Sequence, residues 1–124
     1  MTDKPVVVIG AGRSGLACAL TLAREGHHVV LVDRSDTLAI RERIALLPAK
    51  VDVRLGGYPD DVAAGALMVC PSPGVPWAAP ELEIARAHGV PVRSEMDLVF
   101  ERCRARARPR ARARPRARPD SGTP

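Results

Sequence analysis

The chain has 124 residues, 46% of them hydrophobic, which is enough for one domain with one core but leaves no room for a second catalytic domain. Its net charge of +5 is unevenly placed: residues 102–124 hold nine basic side chains and one acidic one, a charge of +8, whereas residues 1–101 hold ten basic and 13 acidic ones, a charge of −3. No apolar run approaches the roughly 18 residues of a membrane span and no signal-like stretch opens the chain, so we expect a cytoplasmic protein without a membrane partner.

The first third of the sequence has the pattern of a strand, a glycine turn, a helix and a second strand. A β-branched run at residues 6–9 ends at Gly10, and residues 14–25 place apolar side chains at helical spacing. A second β-branched strand at residues 29–32 is followed by Asp33. This order is typical of a unit that holds a nucleotide.

The remaining sequence alternates strand-like runs with short helical patterns. Further strands are predicted at residues 51–55, 66–70 and 90–92, and helices at residues 37–47, 60–64, 80–88 and 94–103. Such alternation predicts a parallel sheet covered by helices on both faces. The expected fold class is α/β, a three-layer Rossmann-like domain with a five-stranded parallel sheet over residues 1–103.

Residues 104–124 differ in composition from everything before them. Arginine stands at every second position up to Arg118, separated by Ala and Pro, and no large apolar residue is present. Because such a segment cannot bury an apolar face, we expect a disordered basic tail.

The segment "GAGRSG" at residues 10–15 has the G-x-G-x-x-G form of a phosphate-binding turn. Gly10 would allow the sharp bend, Gly12 the approach of a pyrophosphate, and Gly15 the close packing of helix on strand. The N-terminus of the helix and the Ser14 hydroxyl would face the same anion. Asp33 stands where such folds bind a ribose or base. This pattern leaves NAD, FAD and UDP-sugars open as ligands, beside a purely structural turn.

A second signal follows the fourth predicted strand. The segment "VCPSPGVP" at residues 69–76 lies at the carboxyl edge of the sheet, where open parallel sheets bind ligands. Ser72 and the backbone around Pro73 and Gly74 would donate to a phosphate or sugar. The alternative is a turn stiffened by its prolines.

These segments together resemble a known family. The turn "GAGRSG", the strand end "VVLVD", the run "LMVCPSPGVPWAAPELEIARAHGVPV" and "SEMDLVF" are similar to the N-terminal domain of the Mur ligases, in particular the family that adds D-glutamate to UDP-N-acetylmuramoyl-L-alanine. The resemblance covers about residues 4–103 and implies a Rossmann-like domain that binds the UDP part of that substrate. It implies contacts of Arg13, Ser14 and Gly15 with the diphosphate, of Asp33 and Arg34 with the uracil end, and of Ser72, Pro73 and Gly74 with the diphosphate and sugar.

The resemblance also implies chemistry for which this sequence has no residues. The complete family enzyme uses ATP and magnesium to form an amide bond, which requires a G-x-x-G-K-[ST] loop, magnesium ligands and a third domain, none of which the sequence contains. We therefore expect a truncated or frameshifted ligase that has no catalytic residue and is inactive by itself. Cys18, Cys70 and Cys103 form no C-x-x-C pair and have no histidine at metal spacing, so neither a disulfide framework nor a metal site is expected.

Two other functions remain open from the residues alone. The first is the FAD- or NAD(P)-binding domain of an oxidoreductase, for which residues 6–33 would serve equally well. The second is a non-enzymatic nucleotide-binding module whose basic tail binds nucleic acid. Because no aromatic residue is interleaved to stack on bases, we expect nucleic-acid binding by the tail to be adventitious.

Overall fold

The computed structural model describes residues 4–94. The basic tail and the predicted helix at residues 94–103, beyond its first residue, lie outside the described residues. Strands and helices in the described part follow the order β1 Val6–Ile9, α1 Arg13–Arg24, β2 Val29–Asp33, α2 Leu38–Ile44, β3 Asp52–Leu55, β4 Met68–Pro71 and α3 Pro80–Ala87.

The strands form one parallel sheet in the order β3-β2-β1-β4. In register, Ile9 at the end of β1 lies opposite Val32 of β2 and Pro71 of β4. The carboxyl ends of these three strands therefore meet at one edge of the sheet, and the loops that follow them meet there too.

The core lies on both faces of the sheet because successive strand residues point to opposite sides. One face packs against α1 and α2 through Val6, Val8, Val29, Leu31, Ala19, Leu22 and Ile40. The other packs against α3 and the 60–66 segment through Val7, Ile9, Val30, Val32, Val69, Ala63, Leu82 and Ala85. Burial on both faces explains why β1 and β2 are continuous apolar runs.

The expectation of a five-stranded sheet is wrong for the described residues, in which the sheet has four strands. The predicted strand at residues 90–92 meets β4 only at a single parallel bridge between Val69 and Val92. There the Val69 amide donates to the Pro91 carbonyl at 3.0 Å, and the Arg93 amide donates to the Val69 carbonyl at 2.9 Å. The next residue of β4 on that side is Pro71, which has no amide hydrogen and therefore cannot donate the next hydrogen bond of the ladder.

The predicted helices differ from the observed ones mainly at their ends. Residues 60–64 form consecutive turns with i to i−3 hydrogen bonds instead of a helix. The second helix is shorter than predicted. The Thr37 hydroxyl caps it by accepting from the Ile40 amide at 3.2 Å, and after Ala45 the backbone hydrogen bonds change to i−3 type. Between residues 4 and 94 no helix is long and apolar enough to cross a bilayer.

Candidate functional site

The glycine turn joins β1 to α1 at the carboxyl edge of the sheet. Gly10 has a φ of +108°, and Gly12 precedes the helix in extended conformation without a side-chain cap. The first helical hydrogen bond runs from the Leu16 amide to the Gly12 carbonyl at 2.9 Å. The amides of Arg13, Ser14 and Gly15 therefore precede the hydrogen-bonded turns of α1, whose first turn carries no acidic residue. Such a helix end favours an anion.

The glycine turn is packed directly against the loop that follows β4. The Ser72 amide and hydroxyl both donate to the Ile9 carbonyl, at 2.8 and 2.6 Å. A Cβ atom at Gly10 would lie 1.8 Å from the Ser72 hydroxyl oxygen, a distance that no side chain tolerates. Ser72 therefore fixes the position of one predicted ligand-binding loop against the other, while Pro73 and Gly74 are exposed beyond it.

Asp33 connects the end of β2 to the glycine turn. Its Oδ2 atom accepts from the Ala11 amide at 2.7 Å and its Oδ1 atom from the Ser35 amide at 2.8 Å. A carboxylate oxygen can accept a second hydrogen bond, so both atoms keep a lone pair for a ligand. The side chain thus orders the turn and still offers an acceptor at this edge.

Arg34 is held by side chains that the sequence analysis did not place in the site. Its Nη2 atom donates to Glu81 Oε2 at 3.2 Å and to Asp60 Oδ1 at 3.4 Å, and its guanidinium lies 4.3 Å from the centre of the Tyr58 ring. The Tyr58 hydroxyl donates to the same Glu81 oxygen at 2.5 Å. Three segments, the end of β2, the loop after β3 and the first turn of α3, converge on one carboxylate.

The Glu81 carboxylate is ionised although the residue is only 4% exposed. Burial by itself raises the pKa of Glu81, but hydrogen bonds from the Tyr58 hydroxyl and from its own backbone amide, together with the charge of Arg34, hold the pKa below its ordinary value. Burial and the hydrogen bond to Glu81 raise the pKa of Tyr58 far above its ordinary value. At neutral pH Tyr58 is therefore a neutral phenol, Glu81 a carboxylate and Arg34 a charged guanidinium.

Arg43 of α2 is a further cation near the turn. Its Nη1 atom donates to the Ala11 carbonyl at 3.4 Å. No signal in the sequence singled it out, because α2 is amphipathic and its polar side chains are expected at the surface. For Glu81 a signal was present in the acid that follows Pro80 at the start of α3, but an acid there is usually a solvated partner of the helix dipole.

The structure thus brings all the predicted site residues to one edge of the sheet. Gly10, Gly12, Arg13, Ser14 and Gly15 lie at the glycine turn, Asp33 and Arg34 at the end of β2, and Ser72, Pro73 and Gly74 after β4. Among residues 4–94 no three His, Cys, Asp or Glu side chains are grouped to hold a metal ion, and no G-x-x-G-K-[ST] loop occurs.

A parallel sheet with a glycine turn after one of its inner strands, and with loops that converge at the carboxyl edge, is the arrangement of a Rossmann-like domain. The sequence model of the family described as Mur ligase MurD-like, N-terminal domain, matches residues 4–94. The chain belongs to this family.

Curated relatives agree with the family assignment. The chain is 46% identical over 93 residues to the UDP-N-acetylmuramoylalanine--D-glutamate ligase of Anaeromyxobacter dehalogenans (strain 2CP-C). This match covers 75% of this chain and 20% of the relative. It is 40% identical over 100 residues to the ligase of the same name from Trichormus variabilis (strain ATCC 29413 / PCC 7937), and this match covers 79% of this chain and 22% of the relative. The chain therefore spans about a fifth of the length of these relatives.

Solved structures show the same fold at low sequence identity. UDP-N-acetylmuramate-alanine ligase MurC from Thermotoga maritima superposes with a TM-score of 0.67 and 18% identity, over 82% of this chain and 23% of that one. A 3-hydroxyacyl-CoA dehydrogenase from Archaeoglobus fulgidus superposes with a TM-score of 0.52 and 23% identity, over 73% of this chain and 33% of that one. At these identities the likeness shows the fold alone, which is shared by a ligase and an oxidoreductase.

Proposed function

We propose that residues 4–94 bind the uridine diphosphate part of UDP-N-acetylmuramoyl-L-alanine, as the substrate-binding domain of an ATP-dependent D-glutamate ligase of peptidoglycan synthesis. The observation that carries the proposal is the convergence of three loops at one sheet edge, fixed by the hydrogen bonds of Ser72 to Ile9 and of Asp33 to Ala11. The names of the similar curated enzymes supply the substrate class.

The diphosphate is assigned to the N-terminus of α1. The amides of Arg13, Ser14 and Gly15 and the Ser14 hydroxyl are donors at the positive end of a 12-residue helix. Gly12 adds to this argument because no atom lies within 4 Å of a Cβ built there, which leaves open space beside the backbone.

The uracil end is assigned to Asp33 and Arg34. Asp33 offers an acceptor for a ring N–H or a ribose hydroxyl, and Arg34 offers only donors, which suit the carbonyl oxygens of a pyrimidine. The Ser72 hydroxyl donates to Ile9, so it would meet the substrate as an acceptor, next to the exposed backbone of Pro73 and Gly74.

These residues would bind and orient the substrate and would take no part in bond formation. Amide formation with ATP and magnesium would belong to regions of the relatives that this chain does not span.

Thermal unfolding of the 124-residue chain with different nucleotides tests the proposal. A ligand that binds only the folded state raises the melting temperature, so UDP-N-acetylmuramoyl-L-alanine and UDP should stabilise the chain, whereas NAD and FAD should not. Stabilisation by NAD or FAD without any by the UDP compounds would instead support an oxidoreductase domain and contradict the proposal.

A charge introduced at the helix end makes the test specific to the diphosphate. Ser14→Asp places a carboxylate where the diphosphate is assigned, so the shift caused by UDP should disappear while the unliganded chain stays at least as stable, since an acid suits a helix N-terminus. Ser14→Asn is the matched control without the charge. An unchanged UDP shift in Ser14→Asp would place the diphosphate elsewhere.

A further inference from the structure

We propose that Tyr58 and Glu81 are positioning residues that hold the Arg34 guanidinium beside Asp33, at the end of the site assigned to uracil. The inference rests on the proposed function and deepens it, because it names the residues that make Arg34 available to the nucleotide. Tyr58, Glu81 and Arg34 are called the brace below.

The burial of Glu81 is the first observation. Glu81 is the one charged residue that is buried among residues 4–94, with 4% of its surface exposed. A buried carboxylate is costly unless it is paired and hydrogen-bonded, and a buried ion pair is weak evidence for a stabilising role. Here a single oxygen, Oε2, accepts from both Tyr58 and Arg34. The geometry thus uses the carboxylate to fix two other side chains.

The way in which Arg34 is held is the second observation. Within the described part of the chain its hydrogen bonds to Glu81 and Asp60 both use Nη2. The guanidinium stacks on the Tyr58 ring, and the side chain remains 53% exposed. The Nε and Nη1 donors are thus left for a ligand on a guanidinium fixed in two directions. Fixing a long side chain in advance removes the conformational entropy that its ordering would otherwise cost on binding.

The third observation is that both neighbours at the end of β2 are fixed from opposite sides. Asp33 is the last residue of β2, and Arg34 is the first residue of the loop that follows. Asp33 is fixed by the Ala11 amide of the glycine turn, and Arg34 by Glu81 of α3. An acceptor and a donor are therefore held side by side at the nucleoside end of the site.

The test measures the affinity of the 124-residue chain for UDP and for inorganic pyrophosphate by ligand-observed NMR at millimolar ligand. Glu81→Gln removes the charge, and Tyr58→Phe removes the hydroxyl but keeps the ring. Each should weaken UDP about tenfold, since a charged hydrogen bond that positions Arg34 is lost, while pyrophosphate binding changes less than about twofold. Glu83→Gln is the matched control, because Glu83 is an exposed acid in the same helical turn, and it should bind both ligands as the wild type does.

A double-mutant cycle separates positioning from simple stability. Arg34→Ala should weaken UDP as the brace variants do, and adding Glu81→Gln to Arg34→Ala should cause no further loss. Equal losses for UDP and pyrophosphate in Glu81→Gln and Tyr58→Phe would mean a purely structural role and overturn the inference. Wild-type UDP affinity in both variants, with a loss in Arg34→Ala, would overturn the inference and leave the proposed function intact. A wild-type chain that binds UDP no better than pyrophosphate would overturn the proposed function itself, and the role of the brace with it.

Discussion

Gly10 combines a left-handed backbone with a contact that leaves no room for a side chain. Its φ is +108°, and a Cβ atom there would lie 1.8 Å from the Ser72 hydroxyl oxygen. Gly10→Ala should therefore lower the free energy of unfolding by about 3 kcal/mol, because backbone strain adds to a steric clash between two loops. Urea denaturation of the chain measures the change.

Gly26→Ala is the matched control for Gly10→Ala. Gly26 also has a positive φ, +93°, but nothing lies within 4 Å of a Cβ built there. The free energy of unfolding of Gly26→Ala should fall by about 1 kcal/mol, which is the cost of placing an alanine in this backbone region. Equal losses at the two glycines would contradict the interlocked loops.

The ionisation of Glu81 predicts a pH dependence of stability. The pKa of Glu81 lies below its ordinary value of 4.5 in the folded chain, so its carboxylate stabilises the fold above that pH, and this contribution is lost as the pH falls through the lower, folded-state pKa. The difference in unfolding free energy between wild type and Glu81→Gln should therefore be largest near neutral pH and should shrink below pH 4.5. Urea titrations over the acidic range measure it.

The groups around the carboxylate supply the control for this dependence. Tyr58 donates to it, and Arg34 with its partner Asp60 lies beside it. Tyr58→Phe removes a donor that lowers the pKa of Glu81, so the loss of stability should begin at a higher pH than in the wild type. A difference between wild type and Glu81→Gln that stays constant through the acidic range would show that the carboxylate is not favoured in its ionised form.

At the scale of elements, Asp33 ties the end of β2 to the turn that begins α1. Asp33→Ala removes the acceptor of the Ala11 amide, which belongs to a fully buried residue. An unpaired amide at such a place costs about 1 to 3 kcal/mol, so the free energy of unfolding should fall by that amount, and exchange of the Ala11 amide hydrogen should become faster.

Asp33→Asn separates the hydrogen bond from the charge. Its side-chain carbonyl can still accept from Ala11, so most of the stability should return. If Asp33→Ala and Asp33→Asn were equally unstable, the charge and not the hydrogen bond would hold the turn.

The elements themselves were largely predictable from the sequence, and the reason is their burial. β1 was predicted with the observed bounds, since a β-branched run covered on both faces has a strong signal before a glycine. The predictions of a strand at residues 90–92 and of a helix at residues 60–64 were wrong. A local apolar pattern does not show that Pro71 lacks a donor for the neighbouring strand, or that residues 60–64 form single turns. The glycine turn was predictable as a motif. The brace was not, since Arg34, Tyr58 and Glu81 are distant in sequence and meet only in the fold.

At the scale of the whole molecule, the charge is divided between two parts with opposite sign. Residues 1–101 carry −3 and residues 102–124 carry +8. Deleting residues 104–124 should abolish binding to RNA while leaving the affinity for UDP unchanged, because the arginines bind phosphates by releasing counterions and the proposed site lies within residues 4–94. Filter binding at increasing salt measures the first effect, and the NMR assay measures the second.

The full-length chain supplies the reference for the deletion. Its RNA affinity should fall steeply as the salt concentration rises, as expected for many phosphate contacts. RNA binding that survives the deletion would assign it to the acidic part of the chain and contradict the division of charge.

The interlock of Gly10 with Ser72 also bears on how sequence variation at these two positions should be understood. In a library in which both positions vary, any residue larger than glycine at position 10 would need glycine at position 72 to avoid the clash, and its backbone would still be strained. Selection for folding alone would therefore retain the first glycine of "GAGRSG", whatever the chain binds. The information about the ligand lies in the positions that the fold leaves free to vary, Arg13 and Ser14 among them.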